Sequence, residues 1–224
     1  MKVVAFNGSP RKKGNTSLLL SEMVRGAREA GCRVEEVTAI EANLRPCKGC
    51  LRCNLLRRCA MKGDDWENLS NRILEADALI FASPVYFHHL PAPLKNILDR
   101  FRSFMHVQIT EEGLHHAPWQ PWEKQFILLL CSGSPLETDA QPVINLFTFI
   151  TGVLGRENVL LPVVATRLAT VNQVKMTEDE LRALYGKLQL PEDLAAGDFL
   201  RNQALLRKCY EIGKGLPTGR MITP

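Results

Sequence analysis

The sequence predicts an α/β protein: one doubly wound, five-stranded parallel sheet with helices on both faces. Two observations carry that prediction. Short apolar runs alternate with longer stretches of helical period, and strand–helix alternation means parallel strands joined by crossover helices. The chain has 224 residues, 46% of them hydrophobic, which suits one domain with a full core and argues against disorder.

The elements follow in order. Lys2 to Asn7 reads as a short buried strand. Ser17 to Ala30 reads as a helix, because Leu19, Leu20, Met23, Val24 and Ala27 recur at helical spacing. Asn15 or Thr16 is expected to cap it, and Gly31 to end it. Arg33 to Thr38 is a second strand, and residues 43–64 form a cysteine-rich loop. Asp65 is expected to cap a helix reaching Ala76. Ala78 to Ser83 is a third strand, followed by a helix from Pro91 to Phe104 with proline in its first turn. Phe126 to Ser132 is a strongly apolar fourth strand, Ala140 to Leu154 a helix and Val159 to Thr166 a fifth strand. Helical patterns run from Glu178 to Leu188 and from Asp198 to Lys214. Five strands suggest the flavodoxin-like order, with ligands at the carboxyl ends of the strands. Residues 1–224 thus read as a single domain, with a helical tail from about 177. The stretch from Thr110 to Gln125 is too long and aromatic for a plain connector; it reads either as a lid or interface loop, or as an insertion packing its own tryptophans.

Bulk properties exclude several classes. No apolar stretch is long enough for a membrane span, and Val3 to Phe6 is too short for a signal peptide, so a cytoplasmic location is expected. The formal charge of +4 comes from 28 Lys and Arg against 24 Asp and Glu, scattered along the chain, which does not argue for nucleic acid. Seven cysteines favour metal, redox chemistry or burial over a disulfide framework.

Gly8-Ser9-Pro10-Arg11-Lys12-Lys13-Gly14-Asn15-Thr16-Ser17 joins the first strand to the first helix. A helix N-terminus offers unpaired N–H groups and a positive dipole end, which suits a phosphate. Ser9, Asn15, Thr16 and Ser17 add neutral donors, and Arg11 adds a fork. Asn15 follows Gly14 where the triphosphate P-loop demands lysine, and the loop is not G-x-G-x-x-G. A terminal monophosphate fits best. Ser83-Pro84-Val85-Tyr86-Phe87-His88-His89 follows the third strand, with an aromatic pair where a planar ring would lie. Cys131-Ser132-Gly133-Ser134-Pro135 follows the fourth, a small-residue turn that lets backbone approach a ligand. Turn chemistry alone would explain either loop; placement with the first on one sheet edge is what gives them weight.

Cys47, Cys50, Cys53 and Cys59 form a C-x2-C-x2-C-x5-C run. Four thiolates this close fold around one small object at little loop-closure cost. The last spacing is longer than in the ferredoxin run, which would let Cys59 close the same [4Fe–4S] cluster. Structural zinc usually takes two knuckles set further apart, and free or redox-active thiols are the third reading. Lys48, Arg52, Arg57 and Arg58 are expected to lower the thiolate pKa values. Cys32, Cys131 and Cys209 stand alone and read as buried core. His88 and His89 read as a solvated pair rather than a proton donor, and His115 and His116 have no evident partner in sequence.

Together, Gly8-Ser9-Pro10-Arg11, Gly14-Asn15-Thr16, Ser83-Pro84-Val85-Tyr86 and the cysteine run resemble the NADPH-dependent FMN reductases and, within them, the iron–sulfur flavoproteins. The resemblance spans roughly residues 1–135, and departs where relatives often carry Asp-Asp-Met and this chain reads Asp64-Asp65-Trp66. It implies that Ser9, Arg11, Asn15, Thr16 and Ser17 hold the FMN phosphate. It implies that Pro84, Val85, Tyr86 and Phe87 cradle the isoalloxazine, with Ser132, Gly133 and Ser134 closing the other side. It also implies a homodimer or homotetramer, with NAD(P)H as a candidate donor. The leading expectation is an FMN oxidoreductase whose [4Fe–4S] cluster exchanges electrons with the flavin, serving a small-molecule or protein donor and acceptor. A metal-free NAD(P)H-dependent FMN or quinone reductase is the alternative. A flavodoxin-type carrier is a further one, disfavoured by the +4 charge and the long tail. A module that only senses flavin or thiol state is the last.

Overall fold

The alternation read from the sequence is realised in a computed structural model, which describes residues 1–218. Five strands form one parallel sheet: β1 (Lys2–Asn7), β2 (Arg33–Thr38), β3 (Ala78–Pro84), and two later ones, β6 (Gln125–Cys131) and β7 (Val159–Ala165). The order is β2-β1-β3-β6-β7, which is the expected doubly wound arrangement. A separate antiparallel hairpin, β4 (Met105–Thr110) and β5 (Gly113–Pro118), lies between β3 and β6 in sequence.

The period of two along each strand sorts side chains onto two faces. Val4, Phe6, Leu79, Phe81, Phe126 and Leu128 enter one core with Trp66, Leu69 and Ile73 of helix α3 (Trp66–Glu75), Leu94 and Ile97 of α4 (Ala92–Arg100), and Phe147 of α5 (Gln141–Leu154). Val3, Ala5, Ile80, Ile127 and Leu129 enter the other, with Leu19, Leu20, Met23 and Val24 of α1 (Asn15–Glu29). Each such large apolar side chain contributes about 1.5–3 kcal/mol by burial.

That second core is closed by the tail. Helix α7 (Leu194–Gly215) packs on α1 with backbones nearly touching, and α6 (Glu178–Lys187) packs on α7. A Cβ on Gly213 would lie 1.9 Å from the Met23 carbonyl oxygen, and one on Gly26 would lie 2.1 Å from that of Tyr210. Only glycine permits this approach, so the tail is an integral layer of the fold.

Several boundaries differ from expectation, each for a local reason. Gly14, not Asn15 or Thr16, is the N-cap of α1, without a side-chain cap bond. Asn15 is drawn instead to the segment after β7, where its side chain bonds Leu168, Thr170 and Val174. Asp65 occupies the N-cap of α3, but its carboxylate accepts from Asn43 N and the cap bond comes from Asp64. The helix from residue 91 stops at Arg100 and tightens into a 3₁₀ turn, Phe101–Phe104. Helix α7 begins four residues early. Residues 110–125 are not a loose lid. Their first part completes the hairpin, and Trp122 is 5% exposed against Phe101, Phe104 and Phe126. A short helix α2 (Cys53–Leu56) interrupts the cysteine loop. Among the described residues no helix is long and apolar enough to cross a membrane.

Candidate active site

The loops after β1, β3, β6 and β7 meet at the carboxyl edge of the sheet around one open cavity. It is lined by Ser9, Arg11, Gly14, Asn15, Thr16, Pro84, Val85, Tyr86, Cys131, Gly133, Leu168 and Ala169. Eight of the twelve residues expected to hold the phosphate and ring line it; Ser17, Phe87, Ser132 and Ser134 belong to the same loops, and of the described lining residues only Arg11 is charged.

The first loop is tightly self-braced. Ser9 N donates to Asn7 Oδ1 at 3.0 Å, Gly14 N donates to Arg11 O at 2.9 Å, and Ser17 Oγ donates to Arg11 O at 3.0 Å. A Cβ on Gly14 would stand 2.9 Å from Ser9 Oγ, so the turn closes only around glycine. The first turn of α1 leaves the N–H groups of Asn15, Thr16 and Ser17 without intrahelical acceptors, a cradle for an anion. The side chains of Asn15 and Thr16 are engaged elsewhere: Asn15 on the segment after β7, Thr16 on the Cys131 thiol. Burial pushes that thiol up to about 12, so Cys131 stays protonated beside the cavity.

The second loop turns sharply. Tyr86 and His89 exchange backbone hydrogen bonds at 2.9 and 3.0 Å, with Phe87 at φ 48° and His88 at φ 60°. Two bulky non-glycine residues in the left-handed region are strained, and such strain collects at ligand sites. Phe87 is wholly exposed and Tyr86 is 42% exposed, leaving an aromatic edge open at the cavity mouth. His88 Nδ1 lies 3.1 Å from Asp139 O, which ties this loop to the turn before α5. His116 packs edge-on to Phe149 at 5.4 Å.

Leu168 and Ala169 were not expected here. Yet they follow the fifth strand as the other walls follow theirs, so the rule that places ligands at strand carboxyl ends would have found them. Ala169 O accepts from Arg11 Nη1 at 3.2 Å, which holds the one lining charge over the cavity.

The cysteine loop leaves the same edge after β2. Cys47, Cys50, Cys53 and Cys59 line a second cavity together with Lys48, Arg100 and Arg102. All four are free thiols, and among the described residues no group of three or more His, Cys, Asp or Glu is gathered to hold a metal ion. The loop is pinned from below. Arg100 and Asp64 form a salt bridge of 2.6 Å with side chains 0% and 1% exposed, and Arg100 also donates to Arg45 O at 2.8 Å and to Cys59 Sγ at 3.4 Å. Arg102 donates to Cys53 Sγ at 3.5 Å and to Asn54 Oδ1 at 2.8 Å. Among the described residues the cations hydrogen-bonded to these sulfurs are thus two from α4 and the following turn, far away in sequence. Of the four expected, Arg57 lies over Trp119 and Arg58 pairs with Glu67. Burial pushes the Cys53 thiol up, against the lowering expected, although Arg102 opposes the shift. Cys32, Cys131 and Cys209 are buried, as expected.

A family model described as NADPH-dependent FMN reductase matches residues 1–157. An iron–sulfur flavoprotein of Methanocaldococcus jannaschii, MJ1083, is 39% identical over 102 residues, covering 46% of this chain and 52% of that protein. The alignments to such iron–sulfur flavoproteins span about half of those relatives' length. YwqN of Bacillus subtilis, placed by its name among NAD(P)H-dependent FMN-containing oxidoreductases, is 32% identical over 69% of this chain and 80% of its own. Among solved structures, an NAD(P)H:quinone oxidoreductase from Methanothermobacter marburgensis superposes with a TM-score of 0.62 at 16% identity, covering 96% of this chain and 98% of the other. A Bacillus anthracis azoreductase gives 0.60 at 18% identity, covering 96% and 99%. At such identities these two show the fold alone.

Proposed function

The chain belongs to the NADPH-dependent FMN reductase family, and from that premise we propose that it is an FMN-dependent oxidoreductase fed by NAD(P)H, with a [4Fe–4S] cluster as the flavin's one-electron partner. The observation that carries the flavin part is the cavity where four strand-end loops converge on a helix N-terminus beside one arginine. The N–H groups of residues 15–17 and the Arg11 guanidinium would take a terminal phosphate, with Ser9 and Ser17 bracing the loop that presents them. Pro84, Val85, Tyr86 and Phe87 would take the ring on one side, and Ser132, Gly133 and Ser134 the other. FMN, when bound, supplies hydride acceptance from a nicotinamide and one- or two-electron release. The protein's share is placement: it holds the phosphate, orients the ring against the second loop and leaves one face open.

Cys47, Cys50, Cys53 and Cys59 would hold the cluster, since all four line one cavity and the relatives matched over this region include iron–sulfur flavoproteins. Four thiolates lining one cavity, with two arginines beside them, are the donor set that such a cluster takes. Such a cluster supplies single-electron transfer. Arg100 and Arg102 would offset its negative charge through their N–H contacts to Cys59 and Cys53. The electron donor and acceptor are small molecules or proteins, the assembly a homodimer or homotetramer, and the location cytoplasmic. Iron and acid-labile sulfide, measured on protein made and purified without oxygen, test the cluster. About four irons per chain, lost in Cys50→Ala, support it. Iron-free protein that still oxidises NAD(P)H with quinones leaves the metal-free reductase in its place.

A further inference from the structure

The tail helices lie outside the matched family region, yet their polar residues bond the segment that walls the cavity. Leu168 and Ala169 form one wall of it. The segment that carries them is bonded on three sides. Toward α1, Asn15 Nδ2 donates to Thr170 O at 2.7 Å, and its Oδ1 accepts from Val174 N at 3.0 Å. Toward the third loop, Arg167 N donates to Ser134 O at 3.0 Å and Leu168 N to Ser132 O at 2.9 Å. Toward the tail stands a buried cluster. Gln173 Oε1 accepts from Thr170 N at 3.1 Å and from its hydroxyl at 3.2 Å, while Gln173 Nε2 donates to Arg167 O at 2.8 Å and to the Tyr185 hydroxyl at 3.3 Å. Tyr185 donates in turn to Asp198, which also takes Arg167 Nε at 3.0 Å and Arg201 Nη2 at 2.6 Å. Tyr185 and Asp198 are 2% and 3% exposed.

The expense of burying these polar groups has a visible object. Arg167 sits at φ 59°, a left-handed conformation that its neighbours must hold. Two residues on, the Ala169 carbonyl accepts from Arg11, the single charged side chain among the described lining residues. Arginine on an exposed loop loses rotamer freedom when it grips a ligand, and a side chain already held loses less.

We propose that Tyr185 and Asp198 are positioning residues of the phosphate anchor: through Gln173 and Thr170 they set the Ala169 carbonyl, which aims Arg11 at the phosphate of FMN. The inference rests on the reading of this cavity as an FMN site. Neither residue touches the cofactor; both act through Arg11.

The test is a double-mutant cycle on the full chain, read by quenching of flavin fluorescence. Tyr185→Phe is measured in the wild-type and Arg11→Ala backgrounds, with FMN and with riboflavin, which lacks the phosphate. The expected loss of FMN affinity is about tenfold in the wild-type background, and under about twofold when Arg11 is already gone. Riboflavin affinity stays unchanged. Thr170→Val, which removes one bond of the relay from a half-buried position, repeats the pattern if Tyr185→Phe fails to fold. Equal losses in both backgrounds, parallel losses for FMN and riboflavin, or no loss overturn the inference. Wild-type protein that binds riboflavin as tightly as FMN overturns the phosphate reading beneath it; wild-type protein that prefers FMN, with variants that match it, overturns the relay alone.

Discussion

Asp64→Ala is expected to cost about 3–5 kcal/mol of stability, because it strands the Arg100 guanidinium in the interior. The structure leaves that charge little recourse. The Arg100 side chain is 0% exposed, its Nε has no partner among the described residues, and its remaining bonds go to the Arg45 carbonyl and the Cys59 sulfur. Asp64 also accepts from the N–H groups of Arg45 and Trp66, so the substitution releases both ends of the cysteine loop. For a chain of this length the loss corresponds to a fall in Tm of about 6–20 °C. The assay is equilibrium urea unfolding of the flavin-free chain, followed by tryptophan fluorescence; Trp66 reports directly, with the guanidinium 5.0 Å from its ring. Asp64→Leu combined with Arg100→Met should recover much of the loss, since it removes both charges and leaves no orphan. A cost below about 1 kcal/mol, typical of a solvent-exposed pair, would refute the reasoning.

Gly213→Ala puts a methyl 1.9 Å from the Met23 carbonyl and should cost about 3 kcal/mol or more, seen as a lower urea midpoint; an unchanged midpoint would mean the tail does not seat on α1 as described. Asp64 and Asp198 bear on the pH dependence. Burial pushes both carboxyls up, but hydrogen bonds outweigh it, from Arg100 and two backbone N–H groups for Asp64 and from Tyr185, Arg167 and Arg201 for Asp198; both end below the usual carboxylate range. Their folded pKa lies below the unfolded value of about 3.9, so their contribution is fully present above that pH and is lost as pH falls further, through the folded pKa. Thermal midpoints should therefore drop steeply below about pH 4, and Asp64→Asn should flatten the drop. Tyr86→Ala should weaken ring stacking by about 0.5–1.5 kcal/mol and shift flavin fluorescence while the phosphate stays bound, and an unchanged flavin spectrum and potential would place the ring elsewhere.

The centre of the sheet was legible because β1, β3 and β6 are buried on both faces and read as continuous apolar runs, as in Leu79-Ile80-Phe81 and Phe126 to Leu130. The order of the strands followed from their alternation with helices. The hairpin at residues 105–118 escaped because it is mostly exposed, and His115 and His116 read as loop rather than strand. In the site, the first three loops announced themselves by small residues, proline and aromatics. The fourth wall, Leu168 and Ala169, has no such signature; only its place after β7 marks it. Asn15 shows the limit of local reading. Its type and position suit a cap or a phosphate ligand, but its side chain answers a partner more than 150 residues away. Arg100 and Arg102 were missed beside the sulfurs for the same reason: nearby Lys48 and Arg52 share the loop, whereas the cations that touch thiols come from another element.

The central claim is that a flavin mononucleotide binds with its phosphate on the N-terminus of α1, gripped by Arg11. Titration of the flavin-free chain with FMN, FAD and riboflavin, alongside Arg11→Ala, tests it most directly. The account predicts one FMN per chain, bound in preference to the other two, and an Arg11→Ala loss of about 1.5–3 kcal/mol, the worth of a charge-assisted hydrogen bond. Preference for FAD, or FMN affinity that Arg11→Ala leaves untouched, would contradict it.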